Sequence, residues 1–407
     1  MRLSVGSETS PAPGLPHELT ARFREHFGRP PELAARAPGR VNLIGEHTDY
    51  NEGLVLPGAI DRDTWLLAAR RGDTRFELRS RELPGACAFD AREIAPEGAW
   101  GDYARGVVRA FREAGQPTPG LDVLCASRVP VGAGLSSSAA LEVAFAALLA
   151  RAAGLALRPR ELAELAHRAE TRFVGVRCGL MDQLASALGQ PARALRIDCR
   201  SLEVTPIPFP AREAELLVVD SGVARRLADG RYNRRREECE EALRLAVERG
   251  IALRSARSLR DLPREALAAV ERALPDLLAR RVRHVLTENE RVDALARALE
   301  ACDLESAGAV LRDGMRSLRE DFEVSIPELD FLCDEADGLP GGLGSRLTGA
   351  GFGGSTLHLV RAGAAGELGR ELAARYRARF GREARPMPVQ LGPGAAAFDL
   401  GEEGADS

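Results

Sequence analysis

Lysine is missing from this 407-residue chain: all 56 of its basic residues are arginine. That absence excludes a Walker A loop, whose lysine reaches the phosphates, and any route through a lysine Schiff base. The arginine bias itself reads as compositional. Cysteine is sparse and scattered, at positions 87, 125, 178, 199, 239, 302 and 333, with no CxxC pair. This argues against a zinc ribbon and fits reduced thiols in a cytosolic protein. An excess of charge of one sign is also lacking. The 56 basic and 60 acidic residues leave a net charge of −4, without the basic excess that nucleic-acid binding needs. No apolar run reaches membrane-spanning length, because Glu142 and Arg151 break the longest candidate. The opening MRLSVGSETSPAPGLP has no apolar h-region. A cytoplasmic chain with no nucleic-acid or membrane partner is expected.

What is present is a globular composition, 45% hydrophobic and 29% charged, in a chain too long for one ordinary core. No internal repeat is visible. Strand-like runs fall at 41–44, 64–69, 121–126, 194–198 and 215–220, with a late one at Thr356 to Val360. Helical patterns fall at 16–27, 101–114, 138–153, 159–173, 233–248, 288–300 and 365–380. The mixture predicts an α/β or α+β architecture. The segment SLEVTPIPFPAREAE has three prolines and no helical period, and is expected to join two lobes with a boundary near 208. That gives lobes of 17–208 and 209–397, with flexible termini at 1–16 and 398–407.

Residues 39–51 read GRVNLIGEHTDYN. A short apolar run stops at Gly45, and Glu46, His47, Asp49, Tyr50 and Asn51 then crowd together. Carboxylates accept strongly from hydroxyls, so the cluster suits a polyhydroxylated ligand. It reads equally as a polar turn with a helix cap. Residues 130–139, PVGAGLSSSA, precede an apolar helical pattern. Gly132 and Gly134 let the backbone approach a ligand, and three serines are good N-caps. A glycine loop feeding a helix N-terminus is an anion site; the bland reading is a loop capping a buried helix. A second loop, TGAGFGGS at 348–355, matches GxGxxG, but a strand-like run follows it, which excludes dinucleotide binding. Glu170 lies on an amphipathic pattern, and Asp182 follows 12 residues later, past Gly175 and Gly179.

In this order, RVNLIGEHTDYN, PVGAGLSSSA, CGLMDQ and RLTGAGFGGS closely resemble the galactokinase branch of the GHMP small-molecule kinases, from about residue 20 to 395. The glycine/serine loop marks the superfamily; the 46–49 segment, CGLMDQ and RYNRRREECE at 231–240 mark the branch. The resemblance implies a two-lobed α+β fold, with a ribosomal-S5-domain-2-like N-terminal lobe, a ferredoxin-like C-terminal lobe and the site in the cleft between them. It implies transfer of phosphate from ATP to the anomeric hydroxyl of galactose by a monomeric enzyme. Glu46, His47, Thr48 and Asp49 would hold the sugar, with Gly179, Asp182 and Tyr232. Gly132, Ala133, Gly134, Leu135, Ser136, Ser137 and Ser138 would wrap the ATP phosphates, with Ser80 and Trp100 at the nucleotide's edge. Ser138 and Glu170 would bind Mg²⁺, which takes hard oxygen ligands. Asp182 would receive the proton of the sugar 1-hydroxyl beside Arg40.

An ion-paired carboxylate is a weak base, but phosphoryl transfer through a loose transition state asks little of a base early on. Asp182 is therefore expected mainly to orient the hydroxyl. Departures from the family pattern are small: Glu52 stands where Gly or Asp is frequent, and Ser355 where Cys is frequent. The alternatives are a sibling kinase acting on N-acetylgalactosamine and a non-catalytic galactose and ATP sensor. The presence of Ser138, Glu170, Asp182 and Arg40 together favours the enzyme.

Overall fold

The computed structural model describes residues 17–176, 178–224 and 230–401; residues 1–16 of the expected flexible termini, and 402–407, lie outside the described residues. In chain order the first part contains α1 (His17–Phe27), β1 (Leu33–Asn42), β2 (Leu54–Val55), β3 (Pro57–Arg70), β4 (Arg75–Ser80), β5 (Ala86–Asp90), α2 (Asp102–Glu113), β6 (Leu121–Ser127), α3 (Ser137–Ala152), α4 (Pro159–Arg168), α5 (Met181–Leu188), β7 (Arg193–Asp198) and β8 (Val204–Pro208). The second contains β9 (Ala214–Asp220), α6 (Arg231–Glu248), α7 (Leu267–Ala273), α8 (Asp276–Glu300), α9 (Leu304–Glu320), α10 (Pro327–Gly338), β10 (Gly342–Thr348), β11 (Ser355–Arg361), α11 (Ala365–Phe380), β12 (Arg385–Val389) and β13 (Ala396–Asp399).

The first lobe is built on a six-stranded sheet in the order β13-β1-β3-β6-β4-β5, antiparallel except for β4 beside β6. Its two faces are read off by alternation. Ala34, Leu67, Ala69, Leu124 and Ala126 pack with Leu19 and Phe23 of α1. Ala35, Leu66, Ala68, Val123 and Cys125 pack into a core shared with α2, α3, α4 and α5. Because both faces are covered, runs such as TWLLAA and LDVLCA show little polar alternation. The second lobe has a four-stranded antiparallel sheet, β10-β11-β9-β12. Leu217, Val219 and Val360 face α10 and α11, and Leu216, Val218, Leu357 and Leu359 face a core with α8 and α9. Strands and helices thus make an α+β, two-lobed molecule.

Four expectations are corrected. The proline-rich segment is not all linker: Val204–Pro208 is an edge strand paired with β7, a place where proline's missing N–H costs no ladder bond. The chain crosses to the second sheet only after Pro208. At the other end, Ala396–Asp399 is not a second-lobe element or a free tail. It pairs with Leu33–Arg36 of β1, and Leu400 N–H bonds to the Glu32 carbonyl, so the C-terminus closes the first lobe's sheet. The first strand runs back to Leu33 rather than starting at 41, and α8 begins at Asp276, a dozen residues ahead of the helical pattern at 288.

Candidate active site

β1 delivers the first residue. Its pairing with β3 shifts register between Pro38 and Arg40, an irregularity of the kind that re-aims a side chain. Gly39 sits there because a Cβ would come within 2.7 Å of the Leu135 carbonyl oxygen; β1 and the 132–138 loop touch along their backbones. Arg40 is buried and grips Asp182 bidentately, Nε to Oδ1 at 2.8 Å and Nη2 to Oδ2 at 2.9 Å. Its remaining Nη1 donates to the Gly134 carbonyl at 2.6 Å. Asp182 stands in the first turn of α5 with its side chain 28% exposed, against 4% for Arg40. The carboxylate is the open member of the pair.

The glycine loop is tied down by its carbonyls. Gly134 O receives Arg40, Leu135 O receives the Arg40 backbone N–H, and Ala133 O receives the Ser355 hydroxyl at 2.6 Å. Gly132, Gly134 and Ser136 all adopt positive φ, at 79°, 82° and 57°. The expected serine caps are corrected here. Ser136 is the N-cap of α3, yet no side chain caps this helix. The Ser136 hydroxyl donates to Asp182 Oδ2 at 2.5 Å, and that of Ser138 to Glu170 Oε1 at 3.0 Å. The first N–H groups of α3 therefore keep no side-chain acceptor, as an anion site at a helix N-terminus requires.

Glu170 lies in a π-helical turn, Ala169–Val174, that follows α4 and ends at Gly175 with φ 88°. The helical pattern expected to run to 173 breaks at Arg168, and such turns often mark functional positions. Burial, and then the charge of Asp182, push the Glu170 carboxyl up. Gln183 Nε2 bridges Glu170 Oε2 at 2.5 Å and Glu142 Oε2 at 3.2 Å. Glu142 is wholly buried, and burial with the Glu170 charge lifts its carboxyl well above the usual range. Tyr103 stands near both carboxylates; burial and their charges push its hydroxyl up to about 12. As site residues Gln183, Glu142 and Tyr103 went unread in the sequence, although Gln183 is part of CGLMDQ and Glu142 was named there only as a break in an apolar run. Ser138 and Glu170 together offer two hard oxygens to a cation. Among the described residues no group of three or more His, Cys, Asp or Glu side chains is placed to hold a metal. A pair suffices for Mg²⁺, which keeps phosphate and water ligands.

The 45–51 segment is a tight turn held from inside. Asp49 is lifted to about 6, by burial first and then by the charge of Asp182. It also accepts from the backbone N–H of Gly179, where a Cβ would lie 2.2 Å from Asp49 Oδ2; only glycine fits. Tyr232 of α6 joins this group. Its hydroxyl is raised by burial and by the charges of Asp49, Cys178 and Asp182, and its ring lies 5.5 Å from that of His47.

His47 has φ 64°, its Nε2 donates to the Ala350 carbonyl at 3.2 Å, and its Nδ1 takes the Tyr50 hydroxyl at 2.9 Å. A sugar hydroxyl bonding to either nitrogen would have to displace one of these. Thr48 is corrected outright. It is fully buried and its hydroxyl donates to Gly45 O and Leu54 O, so it builds the turn instead of meeting a ligand. Glu46 is buried against Arg346 and the Gly349 N–H, and burial lifts its carboxyl to about 7. Its two oxygens have about four lone-pair sites between them, so the carboxylate can still accept. Ser80 and Trp100 are expected at the nucleotide's edge, not among these sugar residues. The Ser80 hydroxyl accepts from Glu82 and Leu83 N–H, and Trp100 packs on the first-lobe core.

Residues 21–70 match the galactokinase galactose-binding signature, 102–190 the GHMP kinases N terminal domain and 295–378 the GHMP kinases C terminal domain. The chain is 45% identical to the galactokinase of Chloroflexus aurantiacus over 95% of its own length and 98% of that protein's. It is 45% identical to the galactokinase of Streptomyces coelicolor over 84% and 88%. Its structure is similar to that of Lactococcus lactis galactokinase complexed with galactose, with TM-score 0.89 and 33% identity over 93% of this chain and 98% of that one. A mevalonate kinase at 18% identity and TM-score 0.61 shares the fold.

Proposed function

The chain belongs to the galactokinase family, and from that premise we propose that it transfers the γ-phosphoryl group of ATP to the anomeric hydroxyl of α-D-galactose, giving α-D-galactose 1-phosphate and ADP. The observation that carries this reading is the bidentate Arg40–Asp182 pair, set directly against the uncapped N-terminus of α3. A base for a hydroxyl and a cradle for a phosphate chain stand side by side. Asp49, Glu46 and Tyr232 surround the sugar, with Gly179 clearing room for Asp49 and His47 walling one side.

Asp182 receives the 1-hydroxyl. Both its oxygens are already bonded to Arg40, so it orients the nucleophile and takes its proton late, which a loose transition state allows. Arg40 stabilises the charge on Asp182 and on the group in transfer. The N–H groups of residues 132–138 and the positive end of α3 hold the ATP phosphates. Ser138 and Glu170 would hold Mg²⁺, which supplies charge neutralisation at the phosphate oxygens when bound. A monomer is the proposed working unit.

ATP consumption over a panel of hexoses and mevalonate tests the reading. Turnover with galactose and not with glucose is expected; comparable turnover with glucose would overturn the substrate assignment. For the metal, Glu170→Ala should raise the Mg²⁺ concentration for half-maximal rate at least about tenfold. An unchanged Mg²⁺ dependence removes Glu170 from that role.

A further inference from the structure

We propose that Arg346 is the positioning residue for Glu46, so that the second lobe sets how the sugar is recognised. This rests on the reading that Glu46 accepts from a sugar hydroxyl. Arg346 lies on β10 and is wholly buried. Its Nη2 bridges two carboxylates, bonding to Glu46 Oε2 and to Glu288 Oε1 at 2.8 Å. Glu288, on α8, also takes the Gly45 N–H at 2.9 Å and is held by Arg291 at 2.7 Å. One turn earlier, His284 Nε2 donates to the Glu46 carbonyl at 3.1 Å. The Gly45 N–H, the Glu46 carbonyl and the Glu46 carboxylate are thus fixed by side chains of α8 and β10.

Two features mark this as more than a core ion pair. Among the described residues, Arg346 Nε and Nη1 have no hydrogen-bond partner. A guanidinium placed for stability alone would satisfy them, because unpaired buried donors are costly. This one is aimed so that a single nitrogen sits between two carboxylates. The second feature is Gly314 on α9, where an added Cβ would lie 2.7 Å from Arg346 Nη1. The helix leaves open the space that the guanidinium fills. Burial already lifts the Glu46 carboxyl to about 7 with Arg346 beside it. Without the guanidinium the charge of Glu288 would lift it further, and the more fully protonated group turns from acceptor to part donor, which changes its hydrogen-bond pattern with the sugar.

The experiment compares Glu46→Gln, Arg346→Lys, Gly314→Ala and the Glu46→Gln/Arg346→Lys double variant, reading KM for galactose, KM for ATP and kcat. Gly314→Ala keeps every charge and displaces only the guanidinium, so it still reports if Arg346→Lys fails to fold. Arg346→Lys and Gly314→Ala are expected to raise KM for galactose about tenfold and leave KM for ATP within about twofold. The double variant is expected to be no worse than Glu46→Gln alone. If either single variant leaves KM for galactose unchanged or raises both constants together, or if the losses add in the double variant, the positioning role is overturned. An unchanged KM for galactose in Glu46→Gln instead removes the sugar role of Glu46, and the inference with it.

Discussion

Around Asp182 and Glu170 the hydrogen-bond partners are Arg40, Ser136, Ser138, Cys178 and Gln183, all from the first lobe, and the Asp182 side chain stays 28% exposed. Around Glu46 the partners are His284, Arg346 and Gly349, from 238 to 303 residues away, and Glu46 is 2% exposed. One half of the site is assembled within a lobe and left open; the other is locked between lobes and closed. The division suits two tasks. Reacting groups must admit two substrates and release two products, whereas groups that tell one sugar from another gain from being held rigidly.

If the open half does the chemistry, its loss should be the largest. Asp182→Asn keeps the shape of the side chain and removes its charge. It should lower kcat about 10²- to 10⁴-fold while leaving KM for ATP close to that of the parent. Turnover near the parent value would place the chemistry elsewhere and dissolve the distinction between the halves.

Asp49 stands where the halves meet, and pH separates them. Its carboxyl is raised to about 6 from an ordinary 3.8. A raised carboxyl pKa means that the folded protein holds the proton over a range where the unfolded chain has lost it. This group's contribution to stability therefore falls as pH rises from about 4 to 6. Sugar binding has the opposite sign, because the anion is the better acceptor. kcat/KM for galactose should fall as pH drops below about 6, approaching tenfold per pH unit. Asp49→Asn should be weaker throughout and lose the part of the fall centred near pH 6, keeping the shallower part near pH 7 that Glu46 supplies. A profile that stays flat to pH 5 in the parent protein would show that the ionised form of Asp49 is not required.

The same contrast explains what could be read from the sequence. Arg40, the acceptor segment, the glycine loop and Asp182 lie in short contiguous motifs, and backbone chemistry made them legible. Their partners were not. Three serines at a helix start read as caps, yet Ser136 and Ser138 turn to carboxylates supplied by Asp182 and Glu170, 46 and 32 residues on. Thr48 came in as a ligand group through the resemblance alone, and its two acceptors, Gly45 O and Leu54 O, close the turn instead. The first half of α8 escaped the periodicity because Arg281 and His284 occupy buried positions where apolar residues were expected. β13 was read as part of a tail because four residues carry no pattern until β1 is beside them. Arg346 sits two residues ahead of a recognised glycine loop, and nothing local says that its guanidinium reaches back to residue 46.

One contact crosses the division, and it offers the finest test of it. Ser355, at the start of β11, donates to the Ala133 carbonyl at 2.6 Å, and the adjacent Gly354 lies against the same group, where a Cβ would be 3.4 Å from that oxygen. Here the second lobe does reach the 132–138 glycine loop. It meets the loop at one carbonyl, while Arg40 holds the next two residues from within the first lobe. Ser355→Ala removes one neutral hydrogen bond, worth about 1 kcal/mol, and leaves a buried carbonyl short of a donor. Because Arg40 remains, the loop should keep its course. KM for ATP should rise about fivefold at most, with kcat and KM for galactose little changed. A rise well beyond tenfold in KM for ATP would mean that the second lobe fixes the phosphate loop as firmly as it fixes Glu46. The open half would then depend on lobe contacts just as the closed half does.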